Sequence, residues 1–372
     1  MRSRRQTVML MCAILAVSAA LGVRFHAVRV QRPKLMAQDH RAESPLRHIP
    51  SRPAFVLHSS QPDGAISIPF TLRGGQIHVD AVFDGRQADA IIDTGMTDIL
   101  CPVGLGAGGI DTGQQGTISD ANGVDVPIRT VILSSIQIGR FEMRDFPVHA
   151  VPADEATPPG VASPSPEQAV ALSFGPQTVA PAPKVAHGLA SVMIGNAALR
   201  HFVMTIDYRK RLLTLRRPGR TLPASLTSGA RLGFTWGDSK TNPDRVPLVR
   251  VKYRGQPLWF AVDTGWCAQS AAISSAARKR LDSRPGVQRL STHRLALGTF
   301  LGSSEDDFID RFDFDLMVTN AQSGHIHVIS SAFVVPILSS DADGVFGTGL
   351  LSHFRVTLDY PRRTVYLQPS HG

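Results

Sequence analysis

The chain has 372 residues, of which 43% are hydrophobic, 19% charged and 6% aromatic. That balance excludes a disordered, highly charged chain and a polytopic membrane protein, and leaves room for one large or two medium domains of about 100–200 residues each. Three cysteines are too few for a disulfide-dense scaffold or a four-cysteine zinc site. The net charge of +9 is local: residues 1–52 hold ten Arg and Lys against Asp39 and Glu43, so the remaining 320 residues are almost neutral and no nucleic-acid partner is expected.

In chain order, Arg2, Arg4 and Arg5 precede the apolar run 8–23, with Ser18-Ala19-Ala20 as a small-residue cleavage site. Residues 1–23 therefore predict an exported protein, through either a cleaved signal peptide or a retained membrane anchor. The rest would sit in the periplasm, free or held at the inner membrane. Residues 24–64 are basic, contain proline and have neither a 2-residue nor a 3.6-residue period, so they read as a linker. From residue 65 onward the pattern is short β-type runs divided by Gly, Asn and Asp turns.

The chain also resembles itself. The run 77–83, the turn Asp84-Gly85 and the run 87–92 lead into Asp93-Thr94-Gly95. The run 247–253, the turn Arg254-Gly255 and the run 256–262 lead into Asp263-Thr264-Gly265, 170 residues later. A second matched pair, Met193-Ile194-Gly195 through Ile206-Asp207-Tyr208 and Val345-Phe346-Gly347 through Leu358-Asp359-Tyr360, recurs at an offset of 152. The first half therefore carries about 18 extra residues, for which the proline-rich stretch 152–186 is the natural place. Two blocks in the same order predict two copies of one β-rich lobe, at 65–217 and 246–372, joined by a linker at 218–245.

One Asp-Thr-Gly is weak evidence, but two copies closing equivalent apolar strands are strong. Hydrolysing an amide without metal or side-chain nucleophile needs a water held between a general base and a general acid. Two carboxyls sharing one proton supply both roles. Here the residues resemble the pepsin and retropepsin superfamily of aspartic proteases, in its bacterial retropepsin-like branch. The resemblance is carried by 91–95, 261–265 and the apolar-apolar-Gly elements ending at Gly195 and Gly347, and covers about residues 65–370. It implies a mostly β, bilobal acid-protease fold of two barrel-like lobes around a cleft that takes an extended polypeptide. Asp93 and Asp263 would be the catalytic pair, supported by Thr94, Gly95, Thr264 and Gly265 in the two loops. No cofactor or metal is implied, and with both lobes in one chain a monomer is expected.

Asp120-Ala121-Asn122-Gly123 stands where the family places a hairpin flap, and Asn-Gly is favourable hairpin chemistry. No flap counterpart is evident in the second half. Pepsin-like enzymes carry a Ser or Thr donor three residues after each catalytic Asp. Met96 and Trp266 occupy those positions, a loss expected to raise the pKa values of the pair. Trp266 could also fill the cleft, which keeps open a silent peptide-binding module of the same fold.

Four other features have plainer readings. Asp111-Thr112-Gly113 follows no apolar strand and reads as a loop. Cys101 and Cys267 either pair or stand as two buried thiols, the latter favoured by their unmatched positions. His325-Ile326-His327 has no evident third ligand, and Asp207 and Asp359 precede basic turns, so both read as structural.

Overall fold

Short alternating runs bury an apolar face only by pairing with one another, and both halves of the chain do so in the same way. The computed structural model describes residues 54–57, 64–119, 125–151, 191–219, 221–237, 246–267, 271–283, 292–298, 303–318, 325–335 and 342–370, all within one compact unit, Pro50–Gly372. Each half contains a hairpin whose turn residues have positive φ: Asp84 (45°) and Gly85 (81°) in the first, Arg254 (46°) and Gly255 (77°) in the second. The registers are equivalent, with His78 opposite Ile91 and Leu248 opposite Ala261.

Each hairpin is part of a closed ring of six strands. In the first lobe the ring runs Gln76–Phe83, Arg86–Ile92, Val192–Ile194, Ile99–Pro102, Phe141–Val151 and Asp125–Ile138, which pairs back with Gln76–Phe83. In the second it runs Pro247–Tyr253, Gln256–Val262, Gly344–Phe346, Ala271–Ser274, His325–Val335 and Ser303–Met317, which pairs back with Pro247–Tyr253. Two-residue alternation sends Ile77, Val79, Ala81 and Phe83 inward in the first ring. The second ring is filled by phenylalanines, with Phe260 5.1 Å from Phe314 and 6.2 Å from Phe312. The fold is thus mostly β and two-lobed.

A six-stranded antiparallel sheet joins the lobes, in the order Ile66–Pro69, Leu212–Arg216, Val203–Asp207, Phe354–Asp359, Thr364–Pro369 and Ala230–Trp236. Each half supplies three strands. Asp207 and Asp359 cap the turns between their strands by accepting from the backbone N–H of Lys210 (3.0 Å) and Arg362 (3.1 Å).

Several elements differ from the sequence reading. Ala54–Leu57, inside the expected linker 24–64, is a strand paired with Phe141–Arg144, and Phe55 packs on Phe141, Phe146, His201 and Phe202. Four residues are too few to set a period, so this tertiary burial was invisible. The expected inter-lobe linker 218–245 contains the helix Ala224–Thr227 and the strand Ala230–Trp236, which pairs with both the joining sheet and Pro247–Tyr253. Asp111-Thr112-Gly113 is a bulge inside the strand Ile110–Ser119 rather than a loop; Gly113 N–H donates to Asp111 Oδ1 at 2.8 Å. The second half does carry a hairpin in the flap position, His293–Gly298 against Ser303–Met317. The export segment 1–23 and the insertion 152–186 lie outside the described residues. Among those described, no helix is long and apolar enough to cross a membrane.

Candidate active site

The strands Arg86–Ile92 and Gln256–Val262 end at Asp93 and Asp263. Behind each end a short strand crosses: Val192–Ile194 runs parallel to the first and Gly344–Phe346 parallel to the second. Each crossing strand is also antiparallel to the strand that leaves the loop. The backbone N–H of Asp93 donates to Ile194 O (3.0 Å) and that of Asp263 to Phe346 O (3.1 Å), so both acids leave their sheets at a pinned point.

The two loops are then locked to each other. Thr94 Oγ1 donates to Val262 O (2.7 Å) and accepts from Thr264 N–H (3.0 Å). Reciprocally, Thr264 Oγ1 donates to Ile92 O (2.7 Å) and accepts from Thr94 N–H (3.1 Å). Both threonines are wholly buried. Four hydrogen bonds between groups with no access to water make a rigid cross-lobe clasp, because breaking any one strands a buried polar atom.

The clasp brings Asp93 and Asp263 face to face, within hydrogen-bond reach of each other. Asp93 Oδ1 accepts from Gly95 N–H (2.8 Å) and Met96 N–H (3.1 Å); Asp263 Oδ1 accepts from Gly265 N–H (2.7 Å) and Trp266 N–H (3.0 Å). The residues that lack the Ser or Thr hydroxyl therefore still donate through their backbones. A methyl group on Gly95 would overlap the Asp263 carboxylate, and one on Gly265 would overlap that of Asp93, so glycine is what allows the close approach. Burial, with the neighbouring carboxylate, holds Asp93 well above the usual carboxylate range. Burial also raises Asp263, against the hydrogen bonds it receives from Asp93 and the loop N–H groups. A pair arranged in this way shares a proton and titrates as a unit.

Asn196 and Tyr360 also support this centre, and neither was singled out from the sequence. Asn196 follows Gly195 and is fully buried. Its Nδ2 donates to Thr94 O (2.6 Å) and Met96 O (3.0 Å), and its Oδ1 accepts from Tyr360 Oη (2.9 Å) of the second half. The only sequence signal was the repeat itself, which matches Asn196 to Thr348 and Tyr360 to Tyr208.

Around the dyad the two lobes present different walls. On the first side, Met96, Ile118, Val126 and Ile128 pack over Leu100, Val151 and Met193. Two of these come from Asp125–Ile138 and one from Ile110–Ser119, a hairpin paired as far as Ser119 opposite Asp125. The proposed flap tip, Asp120 to Gly123, lies outside the described residues. On the second side Trp266 is 9% exposed and packs into its own lobe against Val246, Leu248, Ala261 and Phe333, with its ring 6.5 Å from that of Phe333.

Of the remaining candidates, Cys267 lies close to the dyad, with burial first and then the charges of Asp263 and Asp93 raising its thiol, while Asp111 and His327 are engaged in local pairs. Asp111 pairs with Arg129 at 3.6 Å, and His327 Nδ1 meets Asp315 Oδ1 at 2.8 Å. Cys101 and Cys267 carry free thiols; burial pushes Cys101 up to about 12. Among the described residues, no group of three or more His, Cys, Asp or Glu is gathered as a metal site.

A family model described as Aspartyl protease matches residues 79–173, which include the first Asp-Thr-Gly and the flap strands. No curated protein matches the chain. Among solved structures, the chain is similar to Basic 7S globulin from soybean, at 8% identity over 82% of this chain and 94% of that one, with a TM-score of 0.43. It is likewise similar to an aspartic proteinase from Irpex lacteus, at 10% identity over 82% and 98%, with a TM-score of 0.44. Over residues 79–173 the chain is thus similar to an aspartyl protease family.

Proposed function

We propose that the protein is an aspartic endopeptidase in which Asp93 and Asp263 activate one water to cleave a peptide bond in an extended polypeptide. The observation that carries this reading is the reciprocal threonine clasp, which holds one carboxyl from each lobe against the other. Two buried acids placed together are costly unless a proton is shared, and one shared proton is what this chemistry uses.

In the proposed reaction the ionised carboxyl takes a proton from water as its oxygen bonds to the scissile carbonyl carbon. The protonated carboxyl gives its proton to the carbonyl oxygen. The tetrahedral intermediate then collapses: the carbon–nitrogen bond breaks as the departing nitrogen receives the proton first removed from water, and one hydroxyl of the intermediate returns its proton to the second carboxyl, so the pair again holds a single proton. The partly exposed apolar side chains of Met96, Ile118, Val126 and Ile128 suit contacts on one side of the scissile bond, and strand-like pairing suits an extended substrate. Trp266, packed into its own lobe, leaves the cleft to that substrate. We also propose export of the chain through residues 1–23 and action on envelope or periplasmic proteins as a monomer.

Purified protein incubated with a mixed peptide library between pH 4 and 7 tests the activity. Cleavage that disappears in Asp93→Asn and in Asp263→Asn, and that a statine-type inhibitor blocks, is the expected result. Cleavage that persists unchanged in both variants removes the dyad from the mechanism.

A further inference from the structure

We propose that Asn196 and Tyr360 form a cross-lobe positioning pair that aims the Asp93 loop, and that the Asp263 loop has no equivalent. The catalytic consequence rests on the peptidase reading, whereas the geometry does not.

The orientation of the Asn196 amide is dictated by its partners. The carbonyls of Thr94 and Met96 can only accept, so the NH2 group must face them, and the remaining oxygen must take a donor. Tyr360 Oη is that donor. Thr94 C=O and Gly95 N–H belong to one planar peptide unit, so gripping the carbonyl fixes the direction of the N–H. That N–H donates to Asp93 Oδ1 at 2.8 Å. Tyr360 thus acts on Asp93 through Asn196 and one peptide plane. Its own ring is held by Trp236, stacked at 5.7 Å, and by Phe234 at 6.1 Å.

The matched positions in the other half do not repeat this. Thr348 stands where Asn196 would be, and Tyr208 where Tyr360 would be. Both are buried, and the Tyr208 hydroxyl lies beside that of Thr348, but Thr348 Oγ1 makes no hydrogen bond to the carbonyls of the Asp263 loop as Asn196 does to those of the Asp93 loop. The backbone contact alone is conserved between halves: Asn196 N–H donates to Met96 O (2.8 Å) and Thr348 N–H to Trp266 O (3.1 Å). The approximate symmetry of the fold therefore ends one layer behind the dyad.

Tyr360→Phe and Tyr208→Phe in the full chain test this, because each removes one hydroxyl and keeps the ring. Asn196→Thr, which writes the second half's residue into the first, is the third variant. Tyr360→Phe and Asn196→Thr should lower kcat about tenfold, less than the loss of a donor that contacts the reacting atoms directly, with KM within about twofold. Weaker N–H donation disfavours the ionised carboxyl, so the acid limb of the kcat/KM profile should move up by about half a pH unit. Tyr208→Phe should stay within about twofold of wild type throughout. Equal effects of the two Tyr→Phe changes, or no effect of either, overturn the proposal. If wild-type protein cleaves nothing, the peptidase reading fails by itself. The pair is then read from a 13C titration of the aspartate carboxyls: an upward shift of Asp93 in Tyr360→Phe but not in Tyr208→Phe upholds it, and no shift in either overturns it.

Discussion

Thr205 Oγ1 and Thr357 Oγ1 lie 3.0 Å apart at the centre of the sheet that joins the two lobes. The two residues are opposite each other in the register and are also equivalent positions of the repeat, so the approximate two-fold axis passes between them. Both are buried. Replacing one, as in Thr205→Val, strands the other hydroxyl and should cost about 1–3 kcal/mol, whereas the double change to Val should recover much of that loss. A double-mutant cycle by urea unfolding measures the coupling. Additive losses would remove the hydrogen bond from the account.

The threonine clasp predicts a different response. Each hydroxyl makes one donated and one accepted bond across the lobes. Thr94→Val or Thr264→Val should therefore destabilise by about 1–3 kcal/mol and also reduce turnover, while Thr→Ser at either position retains both bonds and should be milder. Parallel measurement of unfolding midpoint and kcat distinguishes the clasp from a purely structural contact. A Val variant with wild-type kcat would contradict it.

Close approach at the dyad makes the loop glycines intolerant. Gly95→Ala or Gly265→Ala would drive a methyl into the opposite lobe's carboxylate. On the proposed mechanism the expected loss of activity is about a thousandfold or more, because the two carboxyls could then no longer act on one water. Peptide cleavage assays check this, and near-normal turnover by either variant would show that the loops do not meet as described.

The raised Asp93 pKa has a consequence for stability. A carboxyl whose folded-state value lies above its unfolded value contributes stability that is complete below the unfolded value, about 4, and is lost as pH rises through the folded one. Asp93→Asn removes that loss. Its Tm should exceed that of wild type at pH 7, by about 2–4 °C for each pKa unit relieved, and the two should converge near pH 3. Calorimetry at both pH values tests it, and a variant less stable than wild type at pH 7 would mean that the loop bonds to Asp93 outweigh the repulsion.

Much of this centre was legible in the residues because it is written twice. Repetition of Asp-Thr-Gly after equivalent strands, with the apolar-apolar-Gly elements following in the same order, is information that one copy does not contain. The strand at Ala54–Leu57 and the partner roles of Asn196 and Tyr360 left no such trace, since each depends on a neighbour more than 80 residues away. From the sequence, Trp266 could fill the cleft. The apolar surface of Val246, Leu248 and Phe333 takes it into the core.

Local chemistry was the sequence's own to determine: where strands begin and end, where Gly permits a turn, and which two acids close matching runs. Those properties follow from side-chain alternation and backbone sterics over a few residues. Tertiary structure alone decided that the two acids meet, that Thr94 and Thr264 clasp across the lobes, and that the Asn196 side chain grips the carbonyls of the Asp93 loop where Thr348 grips none in the Asp263 loop. Each of these is a hydrogen bond between distant segments whose strength comes from exclusion of water, and burial is a property of the assembled lobes rather than of either stretch of chain.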